Sequence, residues 1–213
     1  MCLREKCVDR TDSVHGVTHQ ECKHFALLSQ ISPRRFTPWH SFEREQRSTR
    51  TGRLGRIVVM LANLIRVARQ GDEEILAEMR LQLWPDGTHA EHRGEVEELI
   101  RSGMNGTLPA VVLIAIGADA RPAGFIEVGL RSHADGCDVI RPVGFVEGWF
   151  VREEMRGQGI GKQLMEAAED WSRAHDCREI ASDALPDNVP SRDAHAALGF
   201  EVVDVCTHFR KGL

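Results

Sequence analysis

The sequence contains no long apolar segment and no paired cysteines. No apolar run approaches the ~18 residues that a membrane-spanning helix needs, and the first residues lack the apolar core of a secretory signal. We therefore expect a cytoplasmic protein with no membrane partner. The six cysteines are scattered, and none belongs to a CxxC pair or to a Cys/His cluster with zinc-finger spacing. This distribution predicts free thiols and no metal site.

Charge is distributed unevenly along the chain. Residues 1–60 hold 11 Lys+Arg and 6 Asp+Glu, a net charge of +5, whereas the other residues hold 16 and 26, a net charge of −10. The basic segment has few periodic apolar residues, a composition that often stays disordered. Such a segment could bind nucleic acid, but we favour an incidental extension. We expect a dispensable, disordered extension at 1–60 and one domain at 61–213, beginning near Met60.

Segments of strand and helix character alternate from residue 61 onward. The pattern predicts strands at 63–68, 110–117, 123–131, 142–151, 177–183 and 200–209. It predicts helices from Asp72 to about Trp84, over 90–104, from the glycines near residue 160 to about His175, and over 188–198. This order, βααβββαβαβ with a mostly antiparallel first half, predicts an α/β fold in which helices flank one mixed, mostly antiparallel sheet.

The stretch VREEMRGQGIGKQLM (151–165) has the composition of an anion-binding turn. Gly157, Gly159 and Gly161 lie where a strand leads into a helix, and Arg156 and Lys162 add positive charge. A helix N-terminus carries unpaired N–H groups and a partial positive charge, so a diphosphate is the expected ligand. A P-loop is disfavoured because no hydroxyl residue follows the lysine, and a dinucleotide-binding fold would need its glycines early in a parallel unit.

These residues resemble the acetyl-coenzyme A signature of the GNAT superfamily of N-acetyltransferases, Gln/Arg-x-x-Gly-x-Gly/Ala, with Arg156, Gly159 and Gly161 at the matching positions. The segments MRLQLWPD, FVEGWFV, CREIASDALPDN and AHAALGFEVVDV together are similar to the aminoglycoside 6'-N-acetyltransferase subfamily. The resemblance extends from about Ile65 to the C-terminus, and residues 1–60 have no counterpart. It implies acetyl transfer from acetyl-CoA to a primary amine, without a metal, in an enzyme whose relatives are commonly homodimers.

The resemblance also implies which residues bind the co-substrate. The strand before the signature is expected to splay at a bulge, so that its backbone pairs with the pantetheine arm and polarises the acetyl carbonyl. Amides from about Gln158 to Lys162 are expected to bind the diphosphate, and Asn188 to make a polar contact near the pantetheine. The full cofactor-binding set is Trp149, Phe150, Val151, Arg156, Gly157, Gln158, Gly159, Ile160, Gly161, Lys162 and Asn188.

Carboxylates dominate the expected substrate site. An aminoglycoside is a polycation, so the net charge of −10 favours its capture. The resemblance puts Glu147, Asp183, Asn188 and Asp204 in contact with substrate, and packs Trp84 against a sugar ring. Asp183 is the first candidate base for the 6'-ammonium and Glu147 the second. An acid at a strand end is more often merely solvated, and Trp84 is equally interpretable as a core residue.

The absence of tyrosine departs from the family pattern. Many acetyltransferases of this superfamily reprotonate the coenzyme A thiolate with a tyrosine near the last strands. Here His208 occupies that region, so His208, water or unassisted departure of the thiolate remain open. The alternatives to an aminoglycoside acetyltransferase are a transferase for another amine or protein N-terminus, and a non-catalytic acetyl-CoA sensor or nucleic-acid-binding module. The acids favour the first, and a net-negative chain repels nucleic acid.

Overall fold

A computed structural model describes residues 64–207 and 209–212 of the chain. Residues 1–60 and His208, on which two of the expectations fall, lie outside the described residues. The strands are β1 (Leu64–Val67), β2 (Met104–Asn105), β3 (Leu108–Ile116), β4 (Pro122–Arg131), β5 (Val143–Val151) and β6 (Ile180–Ser182). The helices are α1 (Glu73–Leu83), α2 (His89–Ser102), α3 (Ile160–Ala174) and α4 (Val189–Ala197), with a 3-10 turn at Glu153–Met155.

The strands form one sheet in the order β1-β3-β4-β5-β6, and β2 pairs with β3. Neighbours are antiparallel except β5 and β6, which are parallel. Apolar side chains alternate between the two faces and build a core on each. Helices α1 and α2 pack on one face, here called the α1/α2 face, around Phe125 and Met79. Helix α3 packs on the other face, around Ile126 and Leu164.

Local signals set the helix boundaries. Thr88 begins α2 with a capping box, because its hydroxyl accepts from the N–H of Glu91 while the Glu91 carboxylate accepts from the N–H of Thr88. Asp72 precedes α1 as predicted, but its carboxylate makes no cap bond to that helix. Instead it accepts two hydrogen bonds from Arg66, at 2.7 and 2.8 Å, which lower the pKa of Asp72 below its ordinary value. None of the helices described here is long and apolar enough to cross a membrane.

The predicted α/β fold with a mixed, mostly antiparallel sheet is confirmed, and two details of the element order are wrong. The short strand β2 was not anticipated. The final strand predicted at 200–209 is absent from residues 200–207, where Val202, Val203 and Val205 are exposed. An alternating pattern makes a strand only where a backbone partner is available, and β6, at the end of the sheet, is only three residues long.

Candidate active site

Strands β5 and β6 pair over only part of the length of β5. Their parallel pairing ends with Val146 opposite Ser182, while β5 continues to Val151. Among the described residues no strand pairs with this last part of β5 on that side, so its backbone is available to an extended ligand. Glu147 follows Val146 in β5 and Asp183 follows Ser182 directly after β6, so each predicted acid comes immediately after the last paired residue of its segment.

Glu147 is the extra residue of a β-bulge. In the pairing of β4 with β5, Gly148 lies opposite Glu127 and Val146 lies opposite Val128, which leaves Glu147 with no opposite residue. The bulge that the family resemblance implied is therefore present. A bulge interrupts the pairing and re-aims the side chain of the extra residue, and bulges are common beside active sites.

Two arginines bind acids on the α1/α2 face of the sheet. Arg131 donates to both carboxylate oxygens of Glu147, from Nε to Oε1 at 3.0 Å and from Nη2 to Oε2 at 2.9 Å. Arg80 donates from Nη1 to Glu127 at 2.7 Å and from Nη2 to Glu95 at 2.6 Å. Reasoning from sequence missed both arginines and Glu127. The sequence did carry a signal for two of them: residues 127 and 131 are charged, although the rest of the predicted strand is apolar. Acidic residues are depleted in strands.

Trp84 follows α1 and lies over the bulge. Its ring centroid is 4.8 Å from the guanidinium carbon of Arg80 and 6.5 Å from the centroid of the Phe125 ring. A Cβ placed on Gly148 would lie only 2.5 Å from Cη2 of Trp84. Gly148 is therefore required for this approach. The indole both packs on the core and borders the site, so the two interpretations of Trp84 do not exclude each other.

The glycines before and within α3 have separate roles. Gly157 and Gly159 have φ of 74° and 79°, a conformation that residues with a side chain rarely adopt. Gly161 is helical, and a Cβ there would lie 3.0 Å from Cζ2 of Trp149. No acid occupies the first turn of α3, unlike that of α1 or α2. The first N–H groups of α3 have no intrahelical partners, so this turn has the chemistry of an anion site.

The other predicted co-substrate residues surround this turn. The Nε atom of Arg156 donates to the carbonyl of Val151 at 3.1 Å, which ties the turn to the end of β5. Gln158 and Lys162 are exposed at the turn, whereas Ile160 is buried and starts the core face of α3. The charged and amide groups therefore face solvent at the helix start, while the apolar residue anchors it.

The remaining predicted residues divide between core, cap and surface. Phe150 is buried in the core under α1 and α2, so only its backbone could contact a ligand. Asn188 is the N-cap of α4, and its Oδ1 accepts from the N–H of Ser191 at 3.3 Å. Asp204 is exposed, and its carboxylate accepts from the N–H of Val205 at 2.6 Å. Its contact with substrate stays a prediction, because the described contacts do not bring it to Glu147 or Asp183.

Comparison with known proteins identifies the family. Residues 66–200 match the family model described as Acetyltransferase (GNAT) family. The chain belongs to the GNAT family of acetyltransferases. Aminoglycoside N(6')-acetyltransferase type 1 of Klebsiella aerogenes is 41% identical over 150 residues, which cover 70% of this chain and 97% of the relative. The protein of the same name from Stenotrophomonas maltophilia is 36% identical over 156 residues, covering 73% and 97%.

Solved structures of aminoglycoside 6'-N-acetyltransferases are similar to this chain in sequence and in fold. The structure of AAC(6')-Iy in complex with the bisubstrate analogue CoA-S-monomethyl-acetylneamine has 34% identity and a TM-score of 0.64, covering 71% of this chain and 99% of that chain. The apo aminoglycoside 6'-N-acetyltransferase AAC(6')-Ig of Acinetobacter haemolyticus has 30% identity and a TM-score of 0.62, covering 70% and 99%. The turn before α3 and the open edge of β5 are thus set in a GNAT acetyltransferase fold.

Proposed function

We propose that this chain is an aminoglycoside 6'-N-acetyltransferase, which transfers the acetyl group of acetyl-CoA to the 6'-amine and thereby confers resistance. The observation that carries the proposal is where the pairing of β5 with β6 ends. Glu147 and Asp183 directly follow the last paired residues, at the beginning of the open backbone edge of β5. The relatives named above carry the same activity in their names. An amine acceptor other than an aminoglycoside, either a small amine or a protein N-terminus, is the alternative.

The residues of the chain fit acetyl-CoA at this edge. When bound, acetyl-CoA supplies an activated thioester. The open edge of β5 from Trp149 to Val151 offers alternating N–H and C=O groups to a pantetheine arm, and the glycine turn offers amides to a diphosphate. Gly161 lets Trp149 pack under the first turn of α3, so this turn is held against β5.

Asp183 is the residue that we propose as the base. Both oxygens of Glu147 accept hydrogen bonds from Arg131, a fixed geometry that suits this carboxylate to holding an ammonium group in place. Asp183 is exposed, at the end of β6, and can take the proton directly or through a water. In this proposal Glu147 orients an ammonium group of the substrate, with Asn188 and Trp84 bordering the site. Asp204 belongs to the proposed substrate contacts, and His208, water or unassisted departure of the thiolate are the alternatives for the last proton transfer. The turnover of Asp204→Asn and of His208→Gln tests the two residues.

Release of free thiol from acetyl-CoA tests the function, with kanamycin, spermine or a peptide as acceptor. We expect acceleration by kanamycin, and Asp183→Asn should lower turnover at least roughly tenfold. Asp193→Asn, at an exposed acid of α4, is the matched control and should retain the wild-type rate. A wild-type rate that kanamycin leaves unchanged contradicts the proposal, and acceleration by spermine or peptide alone supports the alternative. An unaltered Asp183→Asn variant contradicts only the assignment of the base.

We further propose that the transferase unit is residues 61–213 and that residues 1–60 are dispensable. Two comparisons support the division. The family model matches residues 66–200, and 70% of this chain matches 97% of the Klebsiella aerogenes relative. A chain lacking residues 1–58 should keep nearly full activity. A large loss would contradict the division.

A cytoplasmic homodimer without a nucleic-acid or membrane partner is also our proposal. The free thiols at Cys137, Cys177 and Cys206 support a reducing compartment. Exposed apolar side chains at Val202 and Val205 offer a surface to a second copy. One chain has a mass of 23.9 kDa, and light scattering after size exclusion should give twice that mass. Replacing both valines with serine should lower the measured mass. A monomeric wild type contradicts the dimer.

A further inference from the structure

The bulge leaves the direction of the Glu147 side chain undetermined by the sheet. A residue in a regular ladder has a cross-strand neighbour that fixes where its side chain points. Glu147 has none, because the pairing passes from Val146 directly to Gly148. Its side chain is nonetheless only 10% exposed. A buried carboxylate whose orientation is not set by the sheet needs a side chain to set it.

Arg131 meets that need with a two-point contact. The hydrogen bonds from its Nε and Nη2 reach one oxygen each of Glu147, which is the fork geometry that fixes a carboxylate plane. Arg131 is the last residue of β4, and the carbon at the centre of its guanidinium lies 3.3 Å from the centroid of the Phe145 ring. Phe145 precedes Glu147 by two residues in β5. The guanidinium is therefore held by a ring on one side and by a carboxylate at its edge.

We propose that Arg131 is a positioning residue of the acceptor site: it holds the carboxylate of Glu147 in the orientation in which that carboxylate binds an ammonium group of the substrate. The inference rests on the function proposed above. Each oxygen of a carboxylate can accept more than one hydrogen bond, so the contact with Arg131 does not by itself prevent Glu147 from binding an ammonium group. Arg131 acts through Glu147 and needs no contact of its own with substrate.

The opposite role is physically possible, and it has a different signature. A cation beside a site for polycations can compete with the substrate for Glu147, in which case its removal would improve binding of the acceptor. We favour positioning because Arg131 is anchored twice, by Phe145 and by Glu147. A displaceable cation would lose both contacts when the substrate arrived.

A double-mutant cycle tests the inference. Arg131→Gln and Arg131→Lys should each lower kcat/KM for kanamycin by roughly ten- to a hundredfold, since a small misplacement of an orienting group has effects of this size. Lysine should not rescue, because an ammonium cannot make the two-point contact. Affinity for coenzyme A, measured by calorimetry, should be unchanged. In the Glu147→Gln background the further change Arg131→Gln should have little additional effect.

Arg101→Gln is the matched control, because Arg101 forms an ion pair with Glu98 on the exposed side of α2. It should keep the wild-type kcat/KM. The inference is overturned by additive effects of the Arg131 and Glu147 changes, by a normal or raised kcat/KM in Arg131→Gln, or by an equal loss of coenzyme A affinity. A wild-type chain that does not acetylate kanamycin refutes the proposed function and this inference together. Failure of the cycle in an active enzyme refutes the inference alone.

Discussion

Replacing Arg80 with methionine should destabilise the chain more than any surface change. Arg80 joins α1 to α2 through Glu95 and to β4 through Glu127. The side chain of Glu127 is 7% exposed, so removing the guanidinium leaves a charge buried without its cation. Breaking a buried pair in this way costs about 3–5 kcal/mol, a large part of the ~5–15 kcal/mol that stabilises a typical domain. With a urea m value of ~2 kcal/mol/M, the midpoint should fall by roughly 2 M.

Urea unfolding followed by circular dichroism measures this change, and two further variants interpret it. In Arg80→Met/Glu127→Gln the buried charge is gone, so much of the lost stability should return. Arg101→Met removes only an exposed partner of Glu98 and should leave the urea midpoint close to that of the wild type. A shift below about 0.5 M in Arg80→Met, or a double variant no more stable than the single one, would refute this reasoning about the buried pair.

Three other results are expected. Gly159→Val should weaken coenzyme A binding in calorimetry, because φ is 79° there, whereas a loss confined to aminoglycoside affinity would contradict the anion-site assignment. Asp72→Asn should lower the unfolding free energy at pH 7: the hydrogen bonds from Arg66 lower the pKa of Asp72, so the stabilisation is present above about pH 4 and is lost as the pH falls through the lowered pKa. If the difference in unfolding free energy between variant and wild type were equally large near pH 2, this account of Asp72 would be wrong. Burial raises the pKa of Cys177 to about 11, so iodoacetamide at pH 8 should label exposed Cys206 well before Cys177 in peptide mapping, and equal rates would contradict this assignment.

The co-substrate side of the site is readable from sequence because its chemistry is local. Gly157 and Gly159 adopt left-handed conformations two residues apart, and α3 begins at Ile160, directly after Gly159. A conformational requirement within a few residues leaves a trace in residue type, which a single sequence can show. The same holds for the capping box at Thr88, where the partners are three residues apart.

The last predicted strand shows where this reasoning fails. Residues 200–209 alternate in the way that a half-buried strand does, but residues 200–207 are in no strand of this chain. Alternation records which side chains could share a face, and pairing depends on a partner backbone far away in the sequence. The shortening of the strand predicted at 177–183 to Ile180–Ser182 has the same cause, since its partner β5 pairs with it only there.

The sequence by itself determined the family, the glycine turn that enters α3, and the presence of acids near positions 147 and 183, because these depend on residue type and short spacing. Tertiary structure alone decided that Glu147 is a bulge residue and that Arg131 holds its carboxylate. It also decided that Arg80, 47 residues away from Glu127, pairs with that acid inside the protein. Contacts between distant residues depend on the register of the strands and on the packing of the helices, and the residue pattern of a short segment specifies neither.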